Sequence, residues 1–300
     1  MELPLTGGPH PASASRIAPM IRAARLILLG VALASWLGVG VAVAGALVEF
    51  PNVSEQAPKL TGYLARPDAG LSALAGHQFD RVGPYPAVVV LRGCAGISSH
   101  STGIADWFGS WGYVTLAVDS LSPRDISSAC RGGSLGQAFD AYAALRYLTT
   151  LEDVDPGRIA VLGQSMGGGS ALYALDHDLG AQYFTERFSA AILYYPGCGI
   201  PCANLTAPTL ILTGEADEMS LVEQCRQMVA HARPGGAPIA LTVYPGVHHN
   251  FDVALLNPGV RFRGLWLEYN EPAARDAEAK VQAFLATHLG TAAVDEPTSR

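Results

Sequence analysis

The chain has 300 residues and a formal charge of -7, from 19 Lys plus Arg against 26 Asp plus Glu. Hydrophobic residues make up 49% and charged residues 15%, which excludes a disordered chain; the acidic balance argues against a nucleic-acid partner. At 31.4 kDa the length suits one α/β domain, yet the mean hydropathy of +0.23 is high for a water-soluble enzyme.

The first predicted element explains that figure. Residues 26–48, LILLGVALASWLGVGVAVAGALV, carry no charge and a single polar side chain, Ser35. Such a run is long enough to span a bilayer as a helix or to form the apolar region of a secretory signal. Arg22 and Arg25 precede it, Ala42-Val43-Ala44 offers a small-residue cleavage pattern, and Met20 is placed to start a compact signal, leaving residues 1–19 outside it. The expectation is a signal peptide over 1–44, with an N-terminal membrane anchor as the alternative. Either one places the remainder outside the cytoplasm. Residues 1–44 hold one acid, Glu2, against Arg16, Arg22 and Arg25, so their removal would leave 256 residues at -9.

In an oxidising compartment, pairs among Cys94, Cys130, Cys198, Cys202 and Cys225 are candidate disulfides, and the odd count leaves one over. No CxxC pair occurs, so a zinc site is not expected.

Residues 45–290 read as a single domain followed by a tail, 291–300. Near-continuous apolar runs fall at 85–91 (YPAVVVL), 113–118 (YVTLAV), 158–162 (RIAVL), 191–195 (AILYY), 209–212 (TLIL) and 239–243 (IALTV). Runs of this kind indicate strands covered on both faces, hence a mostly parallel sheet. Helical spacing follows at 136–151, 166–175, 221–232 and 274–289, and the alternation predicts a doubly wound α/β fold. Two irregular connections are expected, at 65–84 and 252–272.

Directly after the 158–162 strand stands Gly163-Gln164-Ser165-Met166-Gly167-Gly168, then a helix. This is a G-x-S-x-G nucleophile elbow in the context it needs, with small residues flanking a serine on a tight strand-to-helix turn. A hydroxyl is a poor nucleophile at neutral pH, so an acid and a histidine should follow in that order. They do: Glu215, Asp217 and Glu218 follow the 209–212 strand, and His248 and His249 follow the last strand. The pattern alone does not choose within either cluster. The backbone N–H of Met166 and one from Arg92-Gly93-Cys94-Ala95-Gly96, just after the 85–91 strand, are candidates for an oxyanion hole.

Over roughly residues 55–290 the sequence resembles the dienelactone hydrolase family of α/β-hydrolases, in particular its exported branch. PAVVVLRGCAG is similar to the family's strand and HGCGG loop, VDSLSPR to its VDSFGPR, GQSMGG to its elbow, LTGEADE to its acid loop, and YPGVHHNFD to its histidine loop. The resemblance implies an α/β-hydrolase fold with Ser165 as nucleophile, Asp217 as orienting acid, His249 as base, and Cys94 and Met166 as oxyanion donors. Founding members use a cysteine nucleophile; serine here implies carboxylic ester or lactone hydrolysis through an acyl-enzyme. Cysteines like Cys94, Cys130, Cys198 and Cys225 recur in the exported branch, which favours bridges without fixing the pairing.

The chain departs from the family at Arg92, where histidine normally begins the loop, and at Met219-Ser220-Leu221, where a Trp-Thr-Pro-like run is usual. Arg92 is expected to orient an anionic substrate or to pair with a nearby carboxylate such as Asp119. No metal or organic cofactor is implied, and the expected partner is a small-molecule ester or lactone. A thioesterase, a peptidase-like acyl hydrolase and a non-catalytic binding module of the same fold are the alternatives.

Overall fold

The computed structural model describes residues 45–68, 83–130, 136–200 and 204–290. The expected export segment over 1–44, the tail 291–300, Cys202 and most of the 65–84 connection lie outside the described residues.

The centre is an eight-stranded sheet of β1 (Gly45–Phe50), β2 (Leu60–Ala65), β3 (Tyr85–Leu91), β4 (Val114–Asp119), β5 (Val154–Gln164), β6 (Ala190–Tyr194), β7 (Thr209–Gly214) and β8 (Ile239–Tyr244). Its order is β1-β2-β4-β3-β5-β6-β7-β8. From β4 to β8 every pairing is parallel, while β1 and β2 add an antiparallel edge. All six strands expected from apolar runs are present. The edge pair was not anticipated, and it takes in Gly45–Val48, the last four residues of the apolar run that starts at Leu26.

Five helices among the described residues cover the sheet: α1 (Ser99–Ser110), α2 (Gly136–Thr149), α3 (Met166–Leu175), α4 (Val222–Ala230) and α5 (Glu271–Leu289). Successive strand side chains point to opposite faces, and the core divides accordingly. Val89 and Leu91 of β3 pack with Leu116, Val161 and Leu193 under α2 and α3. Val88 and Val90 of the same strand pack with Ala160, Leu162 and Ile192 against α1 and α5. The four helices read from spacing are found within three residues of their expected ends; α1 was not read, because SHSTGIADWFGS buries mainly Ala105 and Phe108.

The connection expected to be irregular over 252–272 contains a hairpin, β9 (Val260–Phe262) and β10 (Leu265–Leu267). Its two-residue turn, Arg263 and Gly264, has φ of 54° and 88°, the left-handed geometry that a tight hairpin requires and that glycine supplies without strain.

The sheet order fixes where a site can form. The chain leaves β3 towards β4 on one side, crosses back to β5, and proceeds through β6 on the other, so β3 and β5 are neighbours whose following loops diverge. Open α/β sheets bind ligands at this switch point, outside the carboxyl ends of the strands.

Candidate active site

Ser165 sits between the end of β5 and the start of α3, with φ 53° and ψ -118°. A side chain other than glycine rarely adopts positive φ, and such strain is kept where the surroundings over-determine it. Here they do. Ser165 N–H donates to Tyr194 O at 3.0 Å, and a Cβ on Gly167 would collide with Leu91 O of the adjacent strand. The turn can therefore be no wider, and the Ser165 hydroxyl is held at the sheet's carboxyl edge with the N-terminus of α3 behind it.

His249 Nε2 lies 2.9 Å from Ser165 Oγ, and His249 Nδ1 lies 2.7 Å from Asp217 Oδ2. With Asp217 accepting at Nδ1–H, the facing Nε2 is left as an acceptor for the serine hydroxyl. Both His249 and Asp217 are buried, at 1% and 3% exposure. The second oxygen, Asp217 Oδ1, accepts from Met219 N and Ser220 N, each at 2.8 Å, so the carboxylate is fixed from both sides.

The other members of each cluster point elsewhere. Glu215 is exposed and 3.8 Å from Arg226, while Glu218 Oε2 accepts from Trp266 N at 3.2 Å. His248 places Nδ1 3.0 Å from Ala216 O. Met219 and Ser220, which depart from the family pattern, thus supply the two amide donors that hold the acid.

The loop after β3 comes close to the serine: a Cβ on Gly93 would stand 3.5 Å from Ser165 Cβ. Gln137 of α2 ties this loop to α3, donating from Nε2 to Arg92 O at 2.9 Å and accepting from Ser170 Oγ at 3.0 Å. Cys94 is paired with Cys130 at a Cα separation of 4.7 Å, and Ala129 N donates to Cys94 O. A second pair, Cys198 and Cys225, 4.9 Å apart at Cα, joins the segment after β6 to α4. Both separations suit disulfides. Met166 is the first residue of α3, where backbone N–H groups have no intrahelical partner.

Ser165, His249, Cys94 and Arg92 share the wall of a cavity of about 190 Å³ with Phe262 and Leu267 of the unexpected hairpin. Among the described residues no cluster of three or more His, Cys, Asp or Glu could hold a metal ion.

Arg92 does not pair with Asp119, whose Oδ1 instead accepts from Leu121 N and Ser122 N at 3.0 Å each. Its charge faces Tyr195 and Asp252; burial lowers the Arg92 pKa from the usual guanidinium value despite their attraction. These two residues were missed by sequence reasoning. Tyr195 is fully buried at φ 38°, its ring centroid 4.5 Å from that of His249. Its hydroxyl donates to Asp252 Oδ1 at 2.6 Å, and Asp252 Oδ2 accepts from Gln164 Nε2 at 2.7 Å. Burial and the nearby carboxylate hold the Tyr195 pKa well above its ordinary value, so the hydroxyl stays a donor. Burial alone would raise the Asp252 pKa; His100, Tyr195 and Arg92 bring it below the ordinary carboxylate value. The signal for Asp252 was its place three residues after His249.

A sequence model described as the Dienelactone hydrolase family matches residues 72–289. Among curated relatives, the Mycobacterium tuberculosis protein Rv2307c is 29% identical over 185 residues, 56% of this chain and 64% of that protein. The chain thus spans a little under two thirds of that relative's length. A Synechocystis protein provisionally named a carboxymethylenebutenolidase is 25% identical, over 81% of this chain and 96% of its own length. Cutinase 1 of Thermobifida cellulosilytica is 27% identical, over 50% of this chain and 52% of its own. Of solved structures, a dienelactone hydrolase-like promiscuous phosphotriesterase, P91, from metagenomic libraries superposes with a TM-score of 0.63 at 19% identity, covering 82% of this chain and 100% of that one. Esterase Est2 of Thermogutta terrifontis gives a TM-score of 0.60 at 18% identity, covering 84% and 97%. Both share the fold.

Proposed function

The chain belongs to the dienelactone hydrolase family, and on that footing we propose that it is a serine hydrolase that cleaves carboxylic esters or lactones through an acyl-enzyme. The observation that carries this reading is the unbroken hydrogen-bonded chain from Ser165 Oγ through His249 to Asp217. His249 Nε2 takes the hydroxyl proton as Ser165 Oγ attacks the carbonyl carbon. Asp217 holds the imidazole tautomer and stabilises the cation that forms. The N–H groups of Met166 and Cys94 receive the developing oxyanion, each contributing about 3 kcal/mol by analogy with measured donors. His249 then returns its proton to the leaving alcohol, and water, activated by the same base, releases the acid.

Support for the ester reading comes from family membership and from the likeness to a protein named as a cutinase. A nucleophile cavity of about 190 Å³ favours a small acyl group. Arg92 stands on that wall, where burial lowers its pKa against the attraction of Tyr195 and Asp252 and its Nε and Nη1 have no hydrogen-bond partner among the described residues. Residues 1–44 act as an export segment, and the two cysteine pairs suit the oxidising compartment beyond it. Among the described residues no helix is long and apolar enough to cross a membrane.

The purified protein is expected to hydrolyse p-nitrophenyl acetate, with His249→Ala removing turnover and His248→Ala changing it by no more than a few fold. Loss with His248→Ala and retention with His249→Ala would overturn the assignment of the base.

A further inference from the structure

The loop after β3 is held by the segment 128–130 at two atoms of one residue. Cys94 Sγ is bonded to Cys130, and Cys94 O accepts from Ala129 N at 2.9 Å and from Ser128 Oγ at 3.4 Å. Gly96 N donates to Gly93 O at 3.1 Å, closing a turn with Cys94 as its first inner residue. The closing bond of such a turn does not use the N–H of that residue, and Cys94 N–H donates to no group among the described residues. Residue 94 thus has its carbonyl and its side chain tied down and its N–H unused, on the wall of the cavity that holds Ser165.

The tether continues past Cys130, whose carbonyl accepts from Arg263 Nη1 at the tip of the β9–β10 hairpin. The hairpin in turn pairs Leu267 with His249, and the next residue donates from Glu268 N to His249 O at 3.3 Å. The disulfide is the covalent link in a path from the oxyanion loop to the backbone of the base.

We propose that Cys130 is a positioning residue for the reaction: through its disulfide it sets the Cys94 N–H against Ser165 Oγ, so that opening the bond lowers turnover while triad and fold stay intact. This rests on the serine hydrolase reading given above.

The second disulfide is the contrast. The two bonds join residues 36 and 27 positions apart, so the restraint each places on the unfolded chain is nearly equal. Their surroundings differ. Cys198 and Cys225 are buried in the core, at 4% and 0% exposure, and take no part in the wall of the Ser165 cavity. Cys94 and Cys130 are half-buried and belong to that wall. An oxyanion donor must stand about 2.7–3.1 Å from the place where charge develops, so a small displacement of the loop is felt in the transition state and hardly in substrate binding.

The test opens the bond both in the folded protein and by substitution. Mild dithiothreitol breaks an accessible S–S bond to two thiols as the reagent closes to its own cyclic disulfide; alkylation and peptide mapping report which pair has opened. Opening Cys94–Cys130 is expected to lower kcat for p-nitrophenyl acetate about tenfold or more, up to the roughly 10²–10³-fold that loss of one donor costs. KM should stay within about twofold, the mark of an interaction made in the transition state, and the acid limb of the pH profile, which reports His249, should not move. Affinity for phenylboronic acid, which adds to a serine Oγ as a tetrahedral anion, should fall by a similar factor, and reoxidation should restore both. Cys94→Ala/Cys130→Ala, which keeps the backbone N–H, should match the reduced protein. Cys198→Ala/Cys225→Ala should lower Tm by a similar amount and leave kcat within about twofold. Unchanged kcat and boronate affinity with the bond open, a shifted acid limb, or equal kcat losses in the two double variants would each overturn the proposal. A wild-type protein that neither turns over the ester nor binds the boronate would refute the hydrolase reading itself, and this inference with it.

Discussion

Two buried polar groups of residues meet at the ring of Tyr195, and they are built differently. On one side, Ser165, His249 and Asp217 form a chain in which every contact is made, with Asp217 further pinned by two backbone amides. On the other, Arg92, His100, Gln164 and Asp252 leave Arg92 Nε and Nη1, His100 Nε2 and Gln164 Oε1 without hydrogen bonds among the described residues. A closed chain can pass the hydroxyl proton to the imidazole while the carboxylate stays ionised and only orients and stabilises it. An incompletely bonded cluster is maintained only where neighbouring structure holds it or a ligand completes it. The first therefore suits the proposed reaction, and the second serves as a support behind it.

Substitutions along the two groups should separate them by size. The largest effect belongs to Ser165→Ala, expected to lower kcat for p-nitrophenyl acetate by about 10⁵-fold or more, as when a nucleophile that acts with its base is removed. Next, Asp217→Asn should cost roughly 10⁴-fold, because it leaves the imidazole in the wrong tautomer, while Glu215→Gln should stay within a few fold. The reverse order in steady-state assays would move the acid to Glu215. Tyr195→Phe keeps the ring against His249 and removes the hydroxyl, with its bond to Asp252 and those it accepts from Gln164 and Asn250. It should lower kcat about tenfold with KM nearly unchanged, the mark of a residue that positions the base; a change confined to KM would instead place Tyr195 at the substrate.

The smallest effect concerns stability. The Asp252 pKa is depressed in the folded state, so its contribution is present above the unfolded carboxylate value of about 3.9 and is lost as pH falls through the lower folded value. The Tm advantage of the wild type over Asp252→Asn should therefore be constant at neutral pH and shrink below about pH 4. An advantage that grew on acidification would contradict the assigned direction.

The same contrast explains how much could be read from sequence. The six parallel strands were visible because burial on both faces demands unbroken apolar runs such as YPAVVVL, and the nucleophile elbow because Gly167 has no room for a side chain. His249 and Asp217 were legible as members of clusters, but their neighbours His248, Glu215 and Glu218 have the same chemistry, and only the fold or the family resemblance separates them. β1 was hidden because it begins in the last four residues of a run whose hydrophobicity suggested export, and α1 buries Phe108 among small residues that leave no strong helical stripe. The Asp252 cluster draws on Arg92, His100, Gln164, Tyr195 and Asp252, five positions scattered over 161 residues with no motif linking them. Tyr195 in particular passes as the last apolar residue of a strand, whereas its φ of 38° turns it inward onto His249.

The central claim, that Ser165 becomes covalently acylated, is tested most directly by rapid quenching during turnover of p-nitrophenyl acetate followed by peptide mass mapping. The account predicts an acetyl group on the Ser165 peptide, absent from Ser165→Ala. Acetylation at another residue, or steady turnover by Ser165→Ala with no adduct, would contradict it.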